Sequence, residues 1–318
     1  MFKGLVTKIF KRRLLIRHDP DGTKRYFSAS DFGLSGEPFA LLGNRGQRLQ
    51  GYFYRKDDVT QDRLIVFDHG MGCGHKAYLA EIAEICSRGY EVFAYDHTGT
   101  LESEGEHVGG FTQSLVDLEL AISALKAAGK TDGRKITVIG HSWGGYATMN
   151  VPAYHRDIES IVALSGFIST EEMLKTVLGK MQNHLPILLS VEEKSFGKYA
   201  RADARSSLRL AENTRALIIH SRDDSVCPFT HFEKLKAAVG DCKNISFLAV
   251  DKKNHNPNYT CDAVAYYDEI FAELTRLKKR KKLKKDEEKA AFVAGWDWKR
   301  AIAQDTEVWD QIFEFIEK

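Results

Sequence analysis

Residues 135–145 read KITVIGHSWGG, a β-branched apolar run that feeds directly into Gly140-His141-Ser142-Trp143-Gly144. The run has the length and composition of a buried strand, and residues 143–154 carry helical patterning. A serine at so tight a strand-to-helix turn sits in strained backbone, and the glycines at 140 and 144 remove side chains that would clash with the neighbouring strand and helix. The hydroxyl is pushed outward, and the N–H groups that open the helix face any negative charge developing beside it. A serine N-cap on an ordinary helix explains the serine, but neither the two glycines nor the strand.

Outward from this stretch, residues 64–67, 92–95, 161–164, 216–219 and 245–250 are short apolar runs bounded by turn residues, the signature of buried parallel strands. Helical patterns at 75–87, 113–128, 229–239 and 261–277 lie between most of them. Such alternation predicts right-handed crossovers and an α/β fold with a doubly wound, mostly parallel sheet. Upstream, EPFALLGNRGQRLQGYFYR at 37–55 predicts an antiparallel hairpin around Asn44-Arg45-Gly46. The gap between Leu164 and Ala216 is too long for one crossover, so residues 167–213 are expected to form an inserted helical cap over the strand ends. The expected organisation is a domain of residues 1–278 carrying that cap, and a C-terminal helical extension over 279–318. An apolar stripe including Trp298, Trp309, Ile312, Phe313 and Ile316 is expected to dock the extension on the core.

A formal charge of +2 over 318 residues gives no overall field that would draw the molecule to nucleic acid. The run RLKKRKKLKK at 276–285 reverses sign at Asp286, Glu287 and Glu288 and has no interleaved aromatics. It reads as a solvated helix end rather than a nucleic-acid surface. Cys73, Cys86, Cys227, Cys242 and Cys261 form an odd set without a C-x-x-C pair, which argues against a disulfide framework or zinc ribbon and fits a reducing cytoplasm. No H-E-x-x-H spacing occurs, so no metal is expected. Residues 1–19, MFKGLVTKIFKRRLLIRHD, thread basic residues through apolar ones and do not form a signal peptide. Phe2, Leu5, Val6, Ile9 and Phe10 share a helical face opposite Lys3, Lys8, Lys11 and Arg12. That face suits weak contact with a membrane surface as well as a terminal helix packed on the body.

The elbow and its surroundings resemble the α/β-hydrolase superfamily, particularly its esterase, monoglyceride-lipase-like and serine-aminopeptidase-like members, over about residues 37–278. LIVFDHGMG at 64–72 resembles the family's strand with its H-G-x-G oxyanion turn. YDHTGTLESEG at 95–105 resembles the next strand end and its glycine-serine-glycine loop, departing from the usual spacing where Leu101 and Glu102 interrupt it. The resemblance implies that Ser142 is a nucleophile, followed in the chain by an acid and then a histidine. His255, in DKKNHNPN, is the only histidine after the run ending near Val250 and is the implied base. In ALIIHSRDDSVCPF, strand alternation does not choose between two aspartates. The family's habit of a valine two residues and a proline four residues after the acid, here Val226 and Pro228, favours Asp224. Asp223 is the alternative, and otherwise a cap for the helix near Phe229.

The implied oxyanion donors are the N–H groups of Met71 and Trp143. His69 is expected to stabilise its turn and Cys73 to form a pocket wall, while the cap and the loop at Gly109, Gly110 and Phe111 set substrate choice. The implied chemistry is hydrolysis of a small acyl substrate, a carboxylic ester, through an acyl-enzyme and without a cofactor. Thioesterase and serine aminopeptidase are alternatives on the same fold.

Two other classes compete. Residues 64–96 also read as strand, glycine-rich turn, helix and strand ending in an acid at Asp96, like a dinucleotide-binding unit, but Gly70, Gly72 and Gly74 make G-x-G-x-G rather than G-x-G-x-x-G. A non-catalytic binding module that kept the fold is the second. Relatives with epoxide hydrolase or dehalogenase chemistry carry aspartate where Ser142 stands, which disfavours both activities.

Overall fold

The computed structural model describes Phe10 and residues 15–318. The strands are β1 (Ser35–Leu42), β2 (Arg48–Arg55), β3 (Arg63–Asp68), β4 (Glu91–Tyr95), β5 (Lys135–His141), β6 (Ile158–Leu164), β7 (Arg215–Ser221) and β8 (Ile245–Val250). Among the described residues these eight form one sheet in the order β1-β2-β4-β3-β5-β6-β7-β8. The β1–β2 hairpin joins antiparallel at β4, and every other pairing is parallel, as the alternating pattern predicts. The chain leaves β3 for β4 on one side and returns to β5 on the other. Strand order therefore reverses at β3, and the carboxyl ends of β3 and β5 flank a switch-point crevice. Asp68 pairs with Gly140 in register, which places the turn after β3 beside the elbow after β5.

Strand alternation builds two cores. Leu64, Val66, Val138, Ile161 and Ile218 face one buried cluster, together with α2 (Gln113–Ala127), α3 (Trp143–Asn150) and α7 (Thr230–Val239). Ile65, Phe67, Val162, Leu217 and Ile219 face the other, with α1 (Leu79–Ser87) and α8 (Cys261–Lys279). With both faces covered, the central strands read as continuous apolar runs. The insertion between β6 and β7 contains α4 (Thr170–Leu178), α5 (Leu185–Phe196) and α6 (Ala204–Leu210). Its Glu192 is buried and accepts the N–H groups of Phe111 at 3.0 Å and Thr112 at 3.2 Å, fastening the insertion to the loop before α2.

After α8 come α9 (Asp286–Ala294) and α10 (Thr306–Glu317). Asp305 caps α10 by accepting the Glu307 and Val308 N–H groups at 3.0 and 3.3 Å. Val308, Trp309, Ile312, Phe313 and Ile316 recur at helical spacing and belong to the second buried cluster. The basic run is partly paired where it ends α8, with Arg276 against Glu273 and Lys278 2.8 Å from Asp21. The proposed membrane-contacting face at the N-terminus falls outside the described residues except for Phe10, which is buried with its ring 6.2 Å from that of Phe111. Among the described residues no helix is long and apolar enough to cross a membrane.

Glu81 on α1 is a buried carboxyl near Asn258, Tyr259 and Gln304, and burial pushes its pKa up to about 7. The folded state thus holds this proton more tightly than the unfolded chain, so stability falls as pH rises from about 4.5 through about 7. The difference is on the order of 3 kcal/mol. Glu81→Gln is expected to raise the melting temperature at pH 8 by a few degrees while changing it little at pH 5. Equal shifts at both pH values, in paired thermal melts, would contradict this.

Candidate active site

Ser142 sits at φ 57° and ψ −111°, a conformation few non-glycine residues adopt. The flanking glycines make it attainable. A Cβ on Gly140 would lie 2.2 Å from Thr148 Oγ1, and one on Gly144 only 2.0 Å from the Asp68 carbonyl oxygen. The Ser142 N–H donates to the Leu164 carbonyl at 2.8 Å, which ties the elbow to β6. The Trp143 N–H opens α3, where no intrahelical acceptor exists for it. A Cβ on Gly70 would stand 3.3 Å from Ser142 Cβ, so the turn holding Met71 runs directly alongside the serine.

Asp224 and His255 are brought together. The imidazole Nδ1 lies 3.0 Å from Oδ1 and 2.9 Å from Oδ2 of Asp224, whose side chain is wholly buried. The N–H groups of Val226 and Cys227 also donate to Oδ1, at 2.9 and 2.8 Å. Burial alone would raise this carboxyl's pKa, but hydrogen bonds from His220 and His255, and their charge, hold it well below the ordinary range. Asp223 faces elsewhere: it accepts the Ser221 hydroxyl and the N–H groups of Lys253 and Asn254, the latter two at 3.3 Å. It caps the backbone of the histidine loop and not the helix after Phe229.

The loops are laced together. Asn254 Oδ1 accepts the Ser225 N–H at 3.1 Å, and Lys253, buried beneath the loop, reaches the Tyr259 carbonyl and the Asp305 carboxylate. Ser142 meets this assembly from two sides. The Cys227 thiol interacts with its side chain, and the ring of His141, the residue before it, packs 4.8 Å from the ring of His255.

Three further side chains, Tyr78, His141 and His220, complete the arrangement. The Gly70 N–H donates to the Tyr78 hydroxyl at 3.0 Å, the Tyr78 O–H donates to His141 Nδ1 at 2.8 Å, and His141 Nε2–H donates to the His255 carbonyl at 2.7 Å. This relay joins the turn after β3, the elbow and the histidine loop, and it fixes the His141 tautomer. Burial drives the His141 pKa down to about 3, consistent with a neutral ring. His220 Nε2 donates to the Cys227 carbonyl at 2.7 Å and lies 3.2 Å from Asp224 Oδ2. The signal for these residues was faint: His141 lies inside the elbow motif and His220 four residues before Asp224, but nothing in a linear sequence says which carbonyl an imidazole meets.

His69 behaves as a turn-stabilising residue, accepting the His97 N–H at 3.0 Å and donating through Nδ1 to the Gly70 carbonyl at 2.7 Å. Under the elbow His97 lies 3.1 Å from Asp68 and 3.4 Å from Asp117; burial disfavours its charge, but the two carboxylates prevail and raise its pKa to about 9. The Trp143 indole N–H donates to the Phe111 carbonyl at 2.6 Å, linking the elbow to the loop that Glu192 holds. The unusual loop at Leu101 and Glu102 is accommodated by a positive φ of 40° at Leu101 and by Arg17, whose guanidinium donates to the carbonyls of Leu101 at 2.6 Å and Ser103 at 2.8 Å.

The dinucleotide reading fails on geometry. Asp96 is wholly buried and accepts the His75 N–H and Nδ1–H at 2.9 and 2.8 Å, so it has no face for a ribose. A Cβ on Gly74 would lie 2.3 Å from Leu101 Cδ1, which fills the space a pyrophosphate needs. Among the described residues no cluster of three or more His, Cys, Asp and Glu could hold a metal ion.

The sheet order and elbow define a class. A family model described as "Serine aminopeptidase, S33" matches residues 60–211. An uncharacterised Escherichia coli K12 protein, YfhR, is 25% identical over 217 residues, covering 67% of this chain and 72% of its own length. The Pyrococcus furiosus esterase Pf2001 superposes with a TM-score of 0.60 at 16% identity, covering 82% of this chain and 98% of the esterase. A puromycin-hydrolyzing peptidase of Mycobacterium tuberculosis superposes with a TM-score of 0.54 at 17% identity, covering 71% of this chain and 36% of the peptidase. The chain has the α/β-hydrolase fold, and over residues 60–211 it is similar to the serine aminopeptidase family.

Proposed function

We propose that the protein is a serine hydrolase acting on carboxylic esters, with Ser142 as nucleophile, His255 as general base and acid, and Asp224 as the group orienting the imidazole. The observation that carries this reading is the buried Asp224 carboxylate on His255 Nδ1, at 2.9 Å, in a site where Ser142 is held in strained backbone. A carboxylate there keeps the proton on Nδ1, so Nε2 is the basic nitrogen available to a serine hydroxyl. Ser142 Oγ attacks the acyl carbon while Nε2 takes its proton. The oxyanion rests on the Met71 and Trp143 N–H groups, and the imidazolium returns the proton to the leaving alcohol. Water then repeats the path on the acyl-enzyme and frees the acid. Five unpaired cysteines fit a reducing cytoplasm as the site of action.

An ester is favoured over a peptide amino terminus because the insertion's buried carboxylate, Glu192, is committed to backbone N–H groups. Aminopeptidase activity is the second reading, supported by the family model and by the peptidase likeness. A fluorophosphonate probe should label the protein stoichiometrically at Ser142, since only an activated serine is phosphonylated. In the same preparation p-nitrophenyl acyl esters should show at least tenfold higher kcat/KM than aminoacyl p-nitroanilides. Absence of labelling would remove the hydrolase assignment, and the reverse preference would move it to the aminopeptidases.

A further inference from the structure

Behind the oxyanion turn lies a cavity that the proposed chemistry does not use. Its inner wall is Cys73, Ala77 and Tyr78; its flanks are Asn256 and Tyr259 from the histidine loop and Tyr267 and Phe271 from α8; Lys24–Phe27, Trp298 and Ile302 close it. Only the inner wall and Lys76 fall within the residues matched by the family model, so the remainder is built from this chain's own flanking segments. The cavity has a volume of about 90 Å³. That is a narrow slot, smaller than the usual ligand pocket, with room only for a thin guest.

The slot has one sign of charge. Lys24, Arg25 and Lys76 line it and no carboxylate does. Lys76 is paired with Glu102 and Arg25 acts on the Asp31 carboxylate, whereas among the described residues Lys24 has no carboxylate within ion-pair distance. The Lys24 ammonium stands 5.0 Å from the Phe271 ring centre, and its charge is felt at the Cys73 thiol. Burial pushes the Tyr26 and Tyr267 hydroxyls above their ordinary pKa, so both remain neutral donors. Tyr78 separates the slot from the elbow, its hydroxyl tied to Gly70 and His141.

We propose that this slot is a binding site for a flat aromatic carboxylate, the ring lying between the aromatic side chains and the carboxylate on Lys24. Rings prefer such faces, and a monoanion matches one unpaired ammonium supported by phenol donors. The occupant would pack against Tyr78 and Cys73, whose thiol lies 3.6 Å from the Gly70 carbonyl, one layer behind the oxyanion turn.

The test is calorimetric titration of the full chain with naphthalene-2-carboxylate, its neutral amide and 2-naphthyl phosphate. The carboxylate should bind at least tenfold more tightly than the amide and more tightly than the phosphate. Lys24→Gln, a surface change, should abolish the preference over the amide. Ala77→Trp, which fills the slot, should abolish binding of both while leaving the circular dichroism unchanged. Equal binding of acid and amide, a preference for the phosphate, or an unaltered preference in Lys24→Gln would each overturn the proposal. If Ala77→Trp does not fold, the Lys24→Gln comparison decides alone.

Discussion

Ser142→Ala is expected to lower p-nitrophenyl butyrate turnover by roughly 10⁴ to 10⁶-fold while leaving the circular dichroism and melting temperature close to those of the parent. The loss is chemical, since the substitution removes only the oxygen that would bond to the acyl carbon. The fold survives because the strain at φ 57° is held by Gly140, Gly144 and the Ser142 N–H bond to Leu164, none of which involves the hydroxyl. Retention of more than a tenth of the activity would show that another group attacks.

Asp224→Asn should cost about 10⁴-fold, through tautomer rather than structure. The Val226 and Cys227 N–H groups both donate to Oδ1, so an asparagine must keep its oxygen there. Its amide nitrogen then takes the Oδ2 position, 2.9 Å from His255 Nδ1, as a donor, and leaves only Oδ1, at 3.0 Å and already accepting two N–H groups, to hold the imidazole proton. The imidazole answers by moving its proton to Nε2, where it can no longer accept one from a serine. Asp223→Asn should stay within about tenfold of the parent, since the amide oxygen still accepts from the histidine loop. Steady-state kinetics of the two variants side by side decide the matter, and equal losses would assign the acid role to neither alone.

The legible part of this protein was the part written in short-range pattern. Runs such as 136–139 and 161–164 are apolar because both faces of their strands are covered, and the elbow pentapeptide follows its strand without a gap. The choice between Asp223 and Asp224 was not legible from alternation, because β7 ends at Ser221 and both aspartates lie in a turn whose path is set by hydrogen bonds to residues about thirty positions later. Glu192 has no local mark in the sequence that sets it apart from other acidic residues, yet it is buried against Phe111 and Thr112. The pairing of His141 with the carbonyl of residue 255 is likewise a long-range fact, created by folding and invisible to any local window.

Lys253 gives the last helix an importance its distance from the elbow would not suggest. A buried ammonium robbed of its carboxylate costs about 3 to 5 kcal/mol, and the carboxylate here is Asp305, the cap of α10. Helix and histidine loop are therefore splinted: fraying at the far end of the polypeptide is transmitted to the imidazole. Trimming the chain before residue 305, or burdening its end with a fusion that pries the helix away, would unsettle the proposed base without touching any residue that meets substrate.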